Sequence, residues 1–195
     1  MDFASSQTRT NLARSFAGEC QAGARYQFLA EQCRLNNLDY LSKILKTIAT
    51  NEMAHARIFR DLLVNLENEE NFNVQIEAGY PFYRAEIADD LKISSKNEYS
   101  ESNNIYPSFA RIAKDEGFPE VEKAFLDIAE IENCHYMLTN ELGEKCSKNK
   151  LTKSDEPIKW KCMNCGHEET GKSAWKNCPV CGHNYGYVKI QLSDQ

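Results

Sequence analysis

The stretch LSKILKTIATNEMAHARIFRDLLVNL, residues 41–66, sets apolar residues three or four apart at Leu41, Leu45, Ile48, Phe59, Leu62 and Leu66, with Glu52 and His55 in the middle of the same row. That spacing is the period of a helix with one face in a core. A glutamate and a histidine three apart lie on one side of such a helix, where both can reach one metal ion. An unpaired carboxylate on that face would be costly. The same device returns 80 residues later in EIENCH, residues 130–135, where Glu132 and His135 interrupt the row Val121, Phe125, Ile128 and Leu142.

Two further rows complete the pattern. One runs Leu12, Phe16, Glu19, Gly23, Tyr26, Ala30, Cys33; the other runs Leu91, Ser94, Glu98, Glu101, Ile105, Phe109, Ile112. Each carries one or two ligand-type residues near its centre. One Glu from each of two helices and Glu-x-x-His from each of the other two is the donor set of a di-iron four-helix bundle. Solvated surface charge would not fall on four otherwise apolar rows.

The expected helices cover about 8–36, 38–67, 89–116 and 119–145. Pro107 is expected to bend the third, Gly117 to end it, and Pro119 to open the fourth. The stretch 68–87, with Gly79-Tyr80-Pro81, is long for a loop and is expected to cross the bundle from end to end. The expected domains are 1–145, a polar linker at 146–158, and a small module at 159–195 with short strands near 158–161 and 187–191.

The 195 residues, 42% hydrophobic and 27% charged with net charge −6, describe a globular chain with no general nucleic-acid surface. No run of 18 apolar residues is present and residues 1–10 lack a secretory core, so neither a membrane span nor secretion is expected. Four of the eight cysteines are clustered and four scattered, the usage of a reducing compartment. The cytoplasm is the expected location, with a reduced organelle left open. Cys20, Cys33, Cys134 and Cys146 read as buried or partly buried apolar fillers.

The clustered four are Cys162-Met-Asn-Cys165-Gly166 and Cys178-Pro-Val-Cys181-Gly182, separated by twelve residues. C-x-x-C-Gly makes a tight knuckle, and two knuckles make a tetrahedral thiolate cage for iron or zinc. Trp160, Trp175, Tyr185 and Tyr187 are its expected core. A structural zinc ribbon is the alternative for this module alone.

FAGECQAGARYQF (16–28), NEMAHA (51–56), NEYSESNNIYPSFARIAKDEGF (97–118), EIENCH (130–135) and the paired knuckles together resemble the rubrerythrin family over nearly the whole chain. The resemblance implies a mainly α fold, a ferritin-like four-helix bundle followed by a small rubredoxin-like β module. Glu101, beyond the usual single glutamate of its helix, is the family's additional carboxylate; Cys20 stands where the family is expected to have serine. By resemblance, Glu52 and Glu132 bridge two irons, Glu98 and His135 complete the second, and Glu19 binds the first, joined by Glu101 when oxidised and His55 when reduced. Tyr26 and Tyr106 hydrogen-bond ligand carboxylates, and Cys162, Cys165, Cys178 and Cys181 hold one rubredoxin-type iron, with zinc possible there.

The implied activity is reduction of hydrogen peroxide to water. Five carboxylates exceed the charge of two ferrous ions by one, and exchange of Glu101 for His55 removes the excess. The implied partners are a second copy of the chain and an electron donor such as rubredoxin or an NAD(P)H-dependent reductase. The rival functions are a ferroxidase or iron-storage protein and a non-enzymatic zinc-ribbon interaction protein. The latter leaves the five core glutamates unexplained.

Overall fold

The computed structural model describes residues 2–193. Four long helical rods pack as two hairpins. The first comprises α1 (Gln7–Leu35) and α2 (Asp39–Leu66). The second comprises a composite rod, α3 (Ile87–Ser100) leading into α4 (Tyr106–Glu116), and α5 (Pro119–Ser147). Among the described residues no helix is long and apolar enough to cross a membrane.

The ends follow local chemistry. Ser6 Oγ accepts from Arg9 N at 3.0 Å and starts α1. The Glu116 carboxylate, from the end of α4, accepts from Gln7 N and Thr8 N at 3.0 and 2.8 Å and places negative charge at the positive end of α1. Gly117 takes a left-handed conformation, φ 87°, and Phe118 N returns to Ala113 O at 2.8 Å, closing α4 as a glycine cap does.

The third rod departs from the regular periodicity expected of it. A π turn over Glu101–Ile105, with Tyr106 N bonded to Glu101 O, separates α3 from α4. It takes up one residue beyond a regular helix. The buried face therefore slips by one: Leu91, Ser94 and Glu98 lie inward as expected, but beyond the turn Tyr106, Ala110 and Ala113 are buried in place of Ile105, Phe109 and Ile112. The wide turn also accommodates Pro107, which has no N–H to donate to the preceding turn.

Two apolar clusters fill the bundle, one on each side of a polar layer. Tyr26, Leu29, Leu41, Leu45, Ile48, Leu91 and Leu142 belong to one; Leu12, Phe59, Leu63, Tyr106, Val121 and Phe125 belong to the other. Residues 68–86 run irregularly between the hairpins and set Phe72, Val74 and Ile76 against the second cluster. Phe16, expected inside, is 37% exposed, and Leu63 rather than Leu62 is buried. Cys134 is exposed instead of serving as a filler, because its place beside the inward His135 turns it outward.

The C-terminal module is a two-stranded antiparallel sheet, β1 (Lys153–Lys161) with β2 (Glu168–Ser173). Residues 153–158, read from the sequence as linker, are thus strand, and α5 runs on to Ser147. The expected strand at 187–191 reduces to a bridge between Cys162 and Val188. Trp160 is buried and donates to Gly171 O at 2.9 Å, whereas Tyr185 is 37% exposed and Trp175 and Tyr187 are half-buried. Leu151 and Ile190 instead join the nearer cluster of the bundle, so the small module shares a core with it.

Docking of the module turns on Gly186, where an added Cβ would stand 2.0 Å from Asn37 O in the α1–α2 turn. Gly186→Ala should therefore loosen the module from the bundle while leaving its four thiols assembled. Faster amide exchange at 148–153 and 185–190, with unchanged metal content at the thiolate site, is the expected result; unchanged exchange would show that the contact carries no docking energy.

Candidate metal centres

The polar layer is built by one or two inward positions from each rod. Glu19 comes from α1, Glu52 and His55 from α2, Glu98 from α3, and Glu132 and His135 from α5; all are buried, at 4% exposure or less. Their ligand atoms fall into two groups, Glu19, Glu52, His55, Glu132 and Glu52, Glu98, Glu132, His135, each within 4.8 Å. Glu52 and Glu132 are common to both. The imidazole centroids stand 5.9 Å apart. Glu101 belongs to neither group: partly exposed, it lines a cavity at the side of the layer.

The spacing suits cations. His55 Nδ1 lies 2.8 Å from Glu132 Oε1, 3.5 Å from Glu52 Oε2 and 3.6 Å from Glu19 Oε2. His135 Nδ1 lies 2.8 Å from Glu132 Oε2 and 3.0 Å from Glu52 Oε1. Donor atoms around an octahedral ion with bonds of about 2.1 Å are about 3 Å apart. Glu52 Oε1, His55 Nδ1, Glu98 Oε2 and Glu132 Oε1 are buried yet make no hydrogen bond. Such orphaned atoms call for an ion. Carboxylates with imidazoles, and no thiolate, make a donor set suited to iron or manganese.

Without a cation the layer holds protons instead. Burial, with Glu132 and Glu52 nearby, raises the Glu19 carboxyl well above its usual range despite His55. Burial and the charges of Glu52, Glu101 and Glu132 do the same for Glu98. Glu101 is raised to about 8 by burial, Glu132 and Glu52, with Arg25 opposing. Burial opposes the charged form of both imidazoles, yet the carboxylates facing them, Glu132 first in each case, carry His55 to about 12 and His135 to about 9. Glu52 goes the other way: burial would raise it, but His135, His55 and Glu19 hold it down to about 2.

Tyrosines steady the outer carboxylate oxygens. Tyr26 Oη donates to Glu98 Oε1, and Tyr106 Oη to Glu19 Oε1. Both rings are buried. Asn51 was missed in the sequence: its Nδ2 lies 3.2 Å from His135 Nε2. If His135 Nδ1 binds a metal, Nε2 carries the proton, and the amide would present its oxygen instead. Its position directly before Glu52, off the apolar row, gave no periodic signal.

At the second site Cys162 Sγ and Cys181 Sγ are 3.8 Å apart, and Cys165 Sγ and Cys178 Sγ 3.6 Å. The edge of a tetrahedron with metal–sulfur bonds of about 2.3 Å is about 3.8 Å. Gly166 and Gly182, at φ 81° and 76°, turn the two knuckles, and their amides donate to Cys162 O and Cys178 O at 2.8 and 2.9 Å. The His183 backbone amide, with Asn164, helps to lower the Cys181 thiol to about 5. This geometry fits iron and zinc equally.

Two measurements bear on this chemistry. Asn51→Ala should weaken the metal position beside His135 roughly 10–100-fold, as loss of a partner to a ligating imidazole does; competition with a chromophoric chelator reads it, and unchanged affinity would make Asn51 incidental. Stability of the metal-free protein should fall as pH rises past the ordinary carboxylate and imidazole values and on through about 8 and about 9. Glu19, Glu98, Glu101, His55 and His135 all hold protons more tightly folded than unfolded. Glu52 contributes in the opposite sense, and its share is lost only as acid approaches about 2. Thermal midpoints of chelator-treated and metal-loaded protein across pH test this; the loaded protein should show a flatter profile, because metal takes the place of the protons.

Comparison with known proteins agrees with this arrangement. The Rubrerythrin family profile matches residues 10–143, and that of the rubrerythrin rubredoxin-like domain matches residues 160–187. The chain is 39% identical to rubrerythrin of Clostridium perfringens over 186 residues, 94% of each chain. It is 33% identical to rubrerythrin of Nitratidesulfovibrio vulgaris over 189 residues, 95% of this chain and 94% of that one. The solved structure of fully reduced, all-ferrous nigerythrin shares the fold, with a TM-score of 0.61 at 22% identity, covering 98% of this chain and 94% of that chain. With a glutamate–histidine layer of the di-iron type in the bundle and a four-cysteine rubredoxin-like module after it, the chain belongs to the rubrerythrin family.

Proposed function

We propose that this chain is a non-haem di-iron peroxidase that reduces hydrogen peroxide to water and receives its electrons through a rubredoxin-type iron. The observation that carries the reading is the relation of Glu101 to His55. His55 faces Glu19, Glu52 and Glu132 within the layer, while Glu101 stands at its edge on the wall of a cavity. A bundle made only to fill with ferric ions needs neither the additional carboxylate nor a thiolate module.

Two ferrous ions in the layer would supply the two electrons that break the peroxide O–O bond. The residues do the rest. Glu52 and Glu132, common to both groups, would hold both metals, with Glu19 and His55 on one side and Glu98 and His135 on the other completing the donor sets. Tyr26 and Tyr106 fix the outer carboxylates, so little reorganisation accompanies a change of charge. Reduction to two waters consumes two protons, and the Glu101 carboxyl, on the cavity wall, is placed to pass one from that side. The all-ferrous state in the name of the related nigerythrin structure supports iron here.

Electron supply falls to Cys162, Cys165, Cys178 and Cys181. Gly186 of their module abuts Asn37, and the thirteen residues from Asp39 to Glu52 span roughly 20 Å of helix. That separation within one chain, with Phe28, Leu35 and Phe82 exposed at 74%, 67% and 93%, favours a homodimer in which one chain's thiolate iron serves the other's layer. Residues 145–195 carry nine lysines against five acidic residues. An acidic donor such as a rubredoxin, or the acidic docking face of an NAD(P)H-dependent reductase, would suit that surface. Four cysteines gathered at a thiolate metal site and four scattered on helices are the usage of a reducing location such as the cytoplasm.

The test is peroxide added to anaerobically reduced, iron-loaded protein, with iron counted beforehand. The wild type should oxidise with one peroxide per di-iron pair. His55→Ala should retain both irons of the layer and slow that step about 100-fold or more. Cys178→Ser should keep the single turnover yet lose steady turnover with a protein donor. A fully iron-loaded wild type inert to peroxide would refute the proposal.

A further inference from the structure

A cavity of about 270 Å³ opens beside the layer, between α1, the π turn and residues 78–81 of the irregular stretch. Glu101 and Tyr106 form its inner wall. Around it stand Arg14, Ser15, Arg25, Tyr80 and Asn97. All five have buried polar atoms with no hydrogen-bond partner in the protein: Arg14 Nε, Ser15 Oγ, Arg25 Nε and Nη1, Tyr80 Oη and Asn97 Nδ2. Native interiors seldom leave so many polar groups unmatched in one place. The holding of the six layer residues accounts for none of them.

We propose that this cavity is a holding site for hydrogen peroxide on its way to the layer, with Arg25, Arg14 and Asn97 donating to the peroxide oxygens and Glu101 accepting from a peroxide O–H. The inference rests on the peroxidase reading. The wall chemistry selects the ligand. A site for an inorganic anion would present donors alone, whereas here the Glu101 carboxyl faces the same space. A small neutral molecule with two O–H donors and lone pairs on both oxygens meets both kinds of wall group. The volume is several times that of a water molecule, roughly 30 Å³ in the liquid, so peroxide would share the cavity with water and the two product waters have room to leave. Discrimination comes from the guanidinium groups, whose planar forks carry several N–H donors each to meet both peroxide oxygens.

Iron-loaded full-length protein carrying Arg25→Gln or Arg14→Gln, with Arg25→Lys as the conservative variant, tests the assignment. The expected result for Arg25→Gln is a KM for hydrogen peroxide raised about tenfold, the loss of one charge-assisted hydrogen bond. The accompanying fall in kcat should be much smaller, and Arg25→Lys should recover part of the loss. The Mössbauer spectrum of the di-iron centre should match the wild type in every variant, since no ligand is touched. Unchanged KM in both glutamine variants at full iron content overturns the proposal. So does an altered Mössbauer spectrum in both, which would make the arginines supports of the ligands. Should Arg25→Gln fail to take up iron, Arg14→Gln decides by the same criteria. A wild type inert to peroxide fails the peroxidase reading itself; an active wild type with unmoved variants fails only the holding site.

Discussion

A layer of glutamates lies in the middle of an apolar bundle with too little positive charge beside it. Glu19, Glu52, Glu98 and Glu132 are almost wholly buried, and the described protein offers them two imidazoles and two tyrosine hydroxyls. A bundle of this kind cannot be both dry and fully ionised. It must take up protons or cations. That one requirement explains why carboxyls at the same depth are pushed in opposite directions, Glu52 down to about 2 and Glu101 up to about 8. It also explains why the apolar residues divide into two clusters instead of one. The helices meet through hydrocarbon above and below, and the charged middle is left for what they enclose.

The two hairpins bring different chemistry to this middle. Each contributes one helix with Glu-x-x-His and one with a lone inward glutamate, and the pairing of Glu52 with Glu132 joins the hairpins across the layer. The composite rod alone carries an additional carboxylate and a cavity beside it. The layer is therefore closed by packing on most sides, and the cavity stands on the side of Glu101. The thiolate module lies beyond one end of the bundle, on the side of the α1–α2 turn, and takes no part in the layer's geometry.

Much of this was legible in the residues. Rows of apolar residues at helical spacing identified the rods, and ligand-type residues on those rows could not be idle. The knuckles identified themselves through cysteine spacing and the following glycines. What escaped was whatever depends on departures from regularity. The π turn is invisible to a periodic reading, which extrapolated the face of α3 onto Ile105, Phe109 and Ile112 and so missed Tyr106, Ala110 and Ala113 as the buried set. Tyr106 could be singled out only by family resemblance. Asn51 lies off the row of α2, and its relation to His135 exists only once α2 and α5 are brought together. Residues 153–158 are too polar to read as strand; Lys153 and Ile158 pair with Ser173 and Gly171 of β2, and the register breaks between them.

The π turn makes part of this architecture a matter of counting. In a regular helix Glu98 and Tyr106, eight residues apart, would point about 80° away from each other; with one residue absorbed in the wide turn they differ by only about 20°. Both accordingly lie on the inner face, one in the layer and one against Glu19. Delete any single residue from 101–105 and the wide turn could close into a regular α turn, with Glu98 and Tyr106 then seven residues apart. The rod would be straighter and more regular, with its lower half still facing inward; only closing the present segment as a regular helix, with every residue kept, would turn that half by about 100°. The inner face beyond this point is thus kept by the residue count and the wide turn together: a one-residue deletion that removes both leaves the face in place, and what it takes away is the widened backbone beside Glu101 and the cavity.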